Sequence, residues 1–508
     1  MVDVTEKNFT DLRPVIEQEL RSANFVALDT EFTCLLAEDK YSNKWFDSGK
    51  ERYHKLRANL DQVAICQLGI TICKSVPNSN RYECTVYNIF VRPTAGLDHD
   101  SNILCQASSL AFLAHHGFDF NKWLYDGVTC LNRSEHAAVR QQLDGLRERT
   151  SSTDFPIEVR DELRNVLEWA STAPLGTQYK VLDQHNADIS STTSFRDPLS
   201  TPLLIAAVHN TCPDLHASVD QHYQMIIEKV GAPERKSLEA RIEREFERLS
   251  EGCLDWLTGC SHLLWLMAEL RVPIVLHNGL IDAMLLHKQF FSPLPATLEQ
   301  FKHSLTTKLP TLYDTKLIAS HVRKQHSECD AVREMLHQTN LAMLAAALQQ
   351  SHVVLFKPAV AIKQHDNKYE SGSHLHEAGY DSFLTACCFL QLAHLQCSLN
   401  ITSYLLRRPM EAREHLAAFR DLANKLNVIR GAVQYLNLSG PDPEMGRPPW
   451  LIVERLPWWK PSTKPWIPTD GLNETRLDEA STATVYRKPG TTEGSATGAS
   501  ATATGATA

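Results

Sequence analysis

One stretch constrains this chain more than any other. Residues 24–33 read NFVALDTEFT, an apolar run with the spacing of a buried strand, and two acids stand inside it. Side chains along a strand alternate between faces, so Asp29 and Glu31 project from the same face. Two carboxylates side by side in apolar surroundings are costly unless a cation or hydrogen-bond donors lie between them. A divalent metal relieves that cost. A strand end whose carboxylates simply reach solvent relieves it as well, and the pair alone does not choose.

The elements around this strand predict an α/β fold. A helix precedes it, with Thr10 as cap and Leu12, Val15, Ile16 and Leu20 on one face. Strands are predicted at 62–73 and 84–92 before the break at Pro93, and three strands in succession suggest the antiparallel half of a mixed sheet. Residues 103–125 carry helical spacing. From about 140 to 250 the apolar spacing loosens and charges dominate, as in the solvated helix face of 234–250, which reads as an insertion. Apolar character then returns: a helix at about 254–270, a short strand at 272–276, loop and helix over 277–291, and a strand at 311–314. A long core helix over 379–397 has Leu384, Leu392 and Leu395 on or near its apolar face.

At 508 residues the chain has room for two or three domains. Lys plus Arg number 51 against 60 Asp plus Glu, a net charge of −9, which excludes a globally basic coat but not a local basic channel. The thirteen cysteines include no C-x-x-C pair, so a reduced intracellular protein is expected rather than a disulfide framework or zinc knuckle. The N-terminus lacks a signal-peptide pattern, and no uninterrupted apolar run approaches the roughly 18 residues of a membrane helix. The expected address is cytoplasmic, and also nuclear.

Further acids gain meaning from their order. Asp282, in HNGLID, opens a helix behind a buried strand; alone, it is a routine first-turn acid. Asp314, in LYDTK, is best read as a helix cap. His376 precedes Asp381 by five residues across Gly379, so both can reach one pocket, and a free histidine titrates near 6.5, suited to a general base. Asp-x-Glu, then Asp, then His-x4-Asp is the order a two-metal phosphodiesterase needs, with carboxylates clamping two hard cations roughly 3.5–4 Å apart.

With that order in place, the chain resembles the poly(A)-specific ribonuclease (PARN) family of DEDDh 3′-to-5′ exoribonucleases. The matching text is FVALDTEFTCL (25–35), CQASSLAFLAHHGFDFNKW (105–123), VLHNGLIDAMLLHKQFFSPLP (275–295), LYDTKLIAS (312–320) and HEAGYDSFLTA (376–386). EFTCL, VAICQLGI and RPPWLIVE are closer to the PARN-like subgroup that trims precursors of PIWI-interacting RNA. The resemblance implies a ribonuclease H-like mixed-sheet nuclease domain in two parts, 1–150 and 251–402. A helical insertion domain would occupy 151–250, a partial extension like an RNA recognition motif 403–467, and a disordered tail 468–508. It implies Asp29, Glu31, Asp282 and Asp381 as ligands of two Mg²⁺ ions, for which Mn²⁺ can substitute, and His376, where the sister group has tyrosine, as the base activating water. It further implies that Phe32 and Leu35 line the pocket of the 3′-terminal nucleotide and that Asn278 and Lys316 contact the RNA. Single-stranded RNA 3′ ends are the implied substrate, with a homodimer and a protein partner presenting the RNA. An RNA-binding adaptor that kept the fold without catalysis is the main rival, and a DNA exonuclease a second.

Two departures stand out. Cys34 occupies the place of the family's glycine after Glu-Phe-Ser/Thr, and the insertion lacks the Arg-x-x-x-His spacing of the family's nucleic-acid-binding insert. Trp458, Trp459 and Trp466 lie among prolines and read as a surface patch or contact site.

Overall fold

The computed structural model describes residues 2–92, 94–96, 99–100, 102–146, 157–181, 200–219, 225–352, 355–363, 374–400, 409–444, 451–454 and 483–487. The chain opens with a short strand, β1 (Val2–Val4), and helix α1 (Glu6–Arg21). Thr5 takes the cap position, its N–H donating to Asn8 Oδ1 at 2.9 Å, so Thr10 lies inside the helix. The buried face is Phe9, Ile16 and Leu20, while Val15 is exposed. Strand β2 (Phe25–Phe32) follows, then helix α2 (Gly49–Asn59) and the long strands β3 (Ile65–Ser75) and β4 (Arg81–Phe90). The region expected as one helix over 103–125 divides into α3 (Ala107–His115) and α4 (Phe120–Asp126) around Gly117.

The insertion is not all helical. Helices α5 (Arg133–Gly145), α6 (Ile157–Thr172) and α7 (Ser200–Thr211) pack with strands β5 (Gln178–Lys180), β6 (Leu215–Val219) and β7 (Met225–Lys229). The strands form an antiparallel sheet in the order β5-β7-β6. Helix α8 (Ala232–Thr258) closes the unit. Its hydrophobic core runs from Leu131 to Leu257, wider than the 151–250 read from charge. Loose apolar spacing concealed short strands that each bury one face only.

The chain then returns to the main sheet. Gly259, at φ +46° and so placed that a Cβ would lie 2.0 Å from the Thr129 carbonyl oxygen, ends α8 and separates it from α9 (Ser261–Leu270), where one continuous helix was expected. Strand β8 (Ile274–Leu276), helices α10 (Leu280–Leu286) and α11 (Leu298–Lys308), and strand β9 (Leu312–Asp314) follow. Next come α12 (Thr315–Gln325), α13 (Asp330–Met335), α14 (Leu341–Gln350), strand β10 (Ala359–Ile362), the core helix α15 (Ala378–Leu399) and α16 (Ala412–Ala417). The described strands order as β1-β4-β3-β2-β8-β9, with β10 also on β4. β2, β3 and β4 are antiparallel, and β8 and β9 run parallel to β2, giving the mixed sheet expected from the sequence. Helix α15 is long and apolar enough to cross a membrane, but 67% of that apolar window is buried inside the fold, as a core helix would be.

Beyond α16, the hairpin of β11 (Lys425–Asn427) and β12 (Tyr435–Asn437) belongs to the nuclease core instead of starting a separate extension. Leu426, Leu436 and Leu438 join the core on the α1 and α9 side of the sheet, and Asn424 exchanges bonds with Leu312 of β9. Strand 451–454 pairs antiparallel with Ala483–Arg487, inside the span assigned to a disordered tail. The β-branched and aromatic residues of ATVYR favour a strand, a local signal that the whole-tail reading averaged away. Trp458, Trp459 and Trp466, and the low-complexity residues 490–508, lie outside the described residues.

Candidate active site

The alternation of β2 sorts its side chains. Val26 and Leu28 enter one core, and Phe25 and Ala27 the core under α15. Continuing the period of two, Asp29 and Glu31 share the α15 side while Thr30 turns to the other. There the Thr30 hydroxyl donates to Asp282 Oδ1 at 2.6 Å, so the residue between the two acids ties down a third. Asp282 sits in the first turn of α10, whose dipole favours a negative charge there.

Asp381 arrives in the first turn of α15. The start of α15 is seated on the sheet by polar side chains inside otherwise apolar strands. Ala378 N donates to Gln67 Oε1 at 2.9 Å, Gly379 N to Asn88 Oδ1 at 3.1 Å, and Ser382 pairs with Thr71 at 2.8 Å. The first two satisfy N–H groups that a helix start leaves without intrahelical partners, and the third joins two buried hydroxyls. Gly69, opposite Asp29 on β3, permits the approach, for a Cβ there would lie 1.8 Å from the Ala378 carbonyl oxygen.

His376 reaches the same place from the turn ahead of α15. Its backbone is left-handed (φ +68°), a conformation that costs energy in a non-glycine residue, and its N–H donates to Asp381 Oδ2 at 3.2 Å. Single ligand atoms of Glu31, His376 and Asp381 all lie within 4.8 Å of one another. Phe112 and His116 were not singled out in the sequence. They pack on the His376 ring, with centroids at 4.7 and 4.2 Å. The signal available was their spacing of four along one helix, inside a block that served only as a family signature.

The electrostatics are those of a cation site. Burial, then Asp381, Asp282 and Glu31 in that order, hold the Asp29 carboxyl well above the carboxylate range; Glu31 is raised by burial and by Asp381 and Asp282. Burial pushes Asp282 up to about 6 and Asp381 up to about 7. Asp381 Oδ1 is buried with no hydrogen-bond partner among the described residues. Four acids that repel one another, with one lone-pair set unmet, fit the oxygen ligation of hard divalent cations. His376 is shifted the other way, downward, by burial and by His116, which keeps the ring neutral and able to accept a proton at neutral pH.

The raised acids give the metal-free protein a defined pH response. A group whose folded pKa is raised contributes stability below its unfolded value, near 4, and loses it as pH rises through the folded value. With Asp282 at about 6 and Asp381 at about 7, thermal stability in EDTA is expected to fall from pH 5 to pH 8. Mg²⁺ or Mn²⁺ is expected to restore it, with a larger gain at pH 8 than at pH 5. Circular dichroism melts in the four conditions check this, and an equal metal effect at both pH values would contradict it.

Asp314 behaves as the sequence suggests, and does more. It is buried and accepts from the N–H groups of Lys316 and Leu317, capping α12. It also accepts from Asn278, Gly279 and Asn427, so it holds the loop in front of Asp282, and its charge adds to the raised pKa of that acid. Of the four residues expected to contact RNA, Phe32 ends β2 and Leu35 follows it, while the backbone N–H groups of Asn278 and Lys316 both donate to Asp314. Phe32 is half-buried at the end of β2, and Leu35 is 58% exposed, its N–H donating to Gln106 Oε1. Asn278 is left-handed (φ +56°), and its side-chain oxygen accepts from Asn427. Lys316, half-buried on the first turn of α12, has its pKa lowered by burial, an effect Asp314 opposes. Cys34, in place of the family's glycine, is buried against Gln106 and the core.

The sequence pattern of the family described as CAF1 family ribonuclease matches residues 4–389. Among curated proteins, the chain is 26% identical over 465 residues to the pre-piRNA 3′-exonuclease trimmer of Bombyx mori, covering 90% of this chain and 82% of that protein. It is 28% identical to the poly(A)-specific ribonuclease PNLDC1 of Mus musculus, with 90% and 83% covered. It is also 28% identical to the poly(A)-specific ribonuclease PARN of Xenopus laevis, with 91% and 73% covered. Among solved structures, the RNase domain of the yeast Pop2 protein is 14% identical with a TM-score of 0.36, covering 78% of this chain and 86% of that one. The Mg²⁺- and Mn²⁺-bound form of S. pombe Pop2p is 17% identical with a TM-score of 0.35, covering 77% and 90%.

Proposed function

This chain belongs to the CAF1 family of ribonucleases, and we propose that it is a 3′-to-5′ exoribonuclease that trims RNA ends by DEDDh chemistry, releasing nucleoside 5′-monophosphates. The observation that carries this reading is the convergence of four mutually repelling acids and one neutral histidine at the end of β2. An adaptor that only bound RNA would gain nothing from burying such a cluster.

Asp29, Glu31, Asp282 and Asp381 would hold two divalent cations, Mg²⁺ or its substitute Mn²⁺. Such ions, when bound, sharpen the nucleophile and offset charge on the attacking and leaving oxygens. The chain's own residues do the rest. The His376 imidazole takes the proton from the attacking water, and its neutral state at physiological pH suits it to that task. Phe112 and His116 hold the ring in place, and Asp381 anchors its backbone. Phe32 and Leu35 form the wall on which the terminal base rests, while Asn278 and Lys316 meet the backbone of the RNA.

The test is a gel assay of 5′-labelled RNAs, with and without an oligo(A) 3′ end, in Mg²⁺ or EDTA. Stepwise shortening that requires Mg²⁺ is expected. The His376→Ala variant should lose roughly 10²–10⁴-fold in kcat, the range for removal of a general base, while its Mg²⁺-dependent gain in melting temperature persists. Comparison of the two RNAs separates poly(A) tails from small-RNA precursors as substrate. No shortening of either RNA by the wild-type chain would overturn the reading.

A further inference from the structure

The tip of the β11–β12 hairpin meets the loop after β2 in a surface that the trimming reaction, as described, does not use. Trp45, on that loop, is 54% exposed, and Ile429, at the hairpin tip, is 40% exposed. Arg430 lies over the Trp45 ring at 5.9 Å, and its neighbour across the surface, Lys44, is exposed. An aromatic ring, an aliphatic side chain and two cations are thus presented together on one exposed face.

The surface is also built to be rigid. Arg52 is buried, and its guanidinium donates to the carbonyl oxygens of Lys44, Ile429 and Arg430 at 3.0, 2.7 and 2.6 Å and to Asp47 at 3.3 Å. Ala432 N donates to the Asp47 carbonyl at 2.9 Å. A buried charge spent on joining two loops fixes the Trp45 and Arg430 backbones relative to each other.

Both loops lead away from the catalytic centre. One begins at Leu35, on the wall of the site, and runs ten residues to Trp45. The other begins at Asn427, whose amide donates to Asn278 Oδ1 at 2.9 Å and whose N–H donates to Asp314, and reaches Arg430 three residues on, at most about 10 Å away. Along the hairpin stem, Lys425 lies over the Tyr435 ring at 5.3 Å, a second pairing of cation and aromatic ring. Asp47, whose carboxylate also accepts from the Lys44 N–H, is buried and neutralised by Arg52 and Lys55, so it does not offset the charges of Lys44 and Arg430.

We propose that this surface is a second RNA contact, in which Trp45 stacks on a base and Arg430, Lys44 and Lys425 meet phosphates of the strand upstream of the nucleotide being removed. It rests on the exoribonuclease reading, and it deepens that reading by making the enzyme recognise the length of single-stranded RNA behind the 3′ end. Stacking on an aromatic ring tolerates any base, so the contact selects for an unpaired strand and not for a sequence.

The test uses the full chain and two RNAs, a trinucleotide and a strand of about twenty nucleotides, longer than the typical single-strand site of roughly 4–16. Binding is measured by fluorescence anisotropy in EDTA, and hydrolysis in Mg²⁺. Trp45→Ala is expected to weaken binding of the long RNA roughly tenfold, within the usual range for one stacked base, and to raise its KM with kcat unchanged. Trinucleotide binding and hydrolysis should not change. Trp45→Phe should restore long-strand binding, which a folding defect would not allow, and Arg430→Ala should lower its salt dependence. Equal loss on both RNAs overturns the proposal. So does wild-type affinity of Trp45→Ala for the long strand, which would assign this face to a protein partner. If the wild-type chain binds the long strand through Trp45 but shortens nothing, the surface stands and the exoribonuclease reading fails.

Discussion

Asp29→Asn is expected to abolish trimming and, in the same protein, to leave the metal-free fold as stable as before or more so. Asp29 is buried among three other acids, each of which raises its pKa. Removing its charge removes repulsion that the isolated protein carries for the sake of the site. The melting temperature in EDTA at pH 8 should therefore stay level or rise. Activity should fall by about 10³-fold or more, because a group that helps hold charge-stabilising cations acts mainly in the transition state. Mg²⁺ should then stabilise the variant less than the wild type. The matched control is Asp314→Asn, where the sign reverses. Asp314 accepts five backbone N–H groups, and although its charge also raises the Asp282 pKa, an amide in its place turns donors toward donors. That change should destabilise the fold by about 3 kcal/mol or more. Paired melts and single-turnover rates separate the two kinds of buried acid; a clear loss of EDTA-state stability in Asp29→Asn would refute the assignment of Asp29 to a cation site.

The second large effect is expected at a residue with no chemistry of its own. Gly69→Ala would put a methyl group 1.8 Å from the Ala378 carbonyl oxygen and 2.2 Å from its carbon, both in backbone that cannot rotate away. Either the start of α15 lifts from β3 or the strand bends. The lifted helix carries Asp381, and the turn before it carries His376, so both leave their places beside Glu31. A displacement near 1 Å costs a positioned reaction roughly 10²-fold, and overpacking of this kind costs about 1–3 kcal/mol of stability. The expected result is a folded, less stable protein with at least about 100-fold lower kcat. Wild-type rates in a folded Gly69→Ala variant would show that the docking of α15 does not set the catalytic geometry.

Much of the site was legible in the linear order of residues. Asp29 and Glu31 share a face because a strand repeats every two residues, and β2 occupies the expected residues almost to the end. The placement of Asp282 and Asp381 in first turns of helices also followed from local pattern. The role of Asp314 in capping was legible, but its hold on the Asn278 loop was not, since the partners lie more than thirty residues away in the chain. Phe112 and His116 escaped because nothing in their own helix says which residue they will face. The insertion's three strands escaped because each is short and borders charged residues, which weakens a period-two signal. The C-terminal hairpin was misplaced for a related reason: only contact with β9 and the sheet shows that Leu426 and Leu436 are core residues.

By itself the sequence determined the identities and order of the chemical groups, and the faces they take within each strand or helix, because those follow from backbone periodicity alone. It also determined the family, through several long blocks in order. Tertiary structure decided which groups meet. Gln67, Asn88 and Gly69 seat α15 on the sheet, Thr30 binds Asp282 across 252 residues, and Arg52 locks the hairpin tip to the Trp45 loop. These are contacts between segments far apart in the chain, set by packing and by the need of buried polar groups for partners, and no local pattern encodes them.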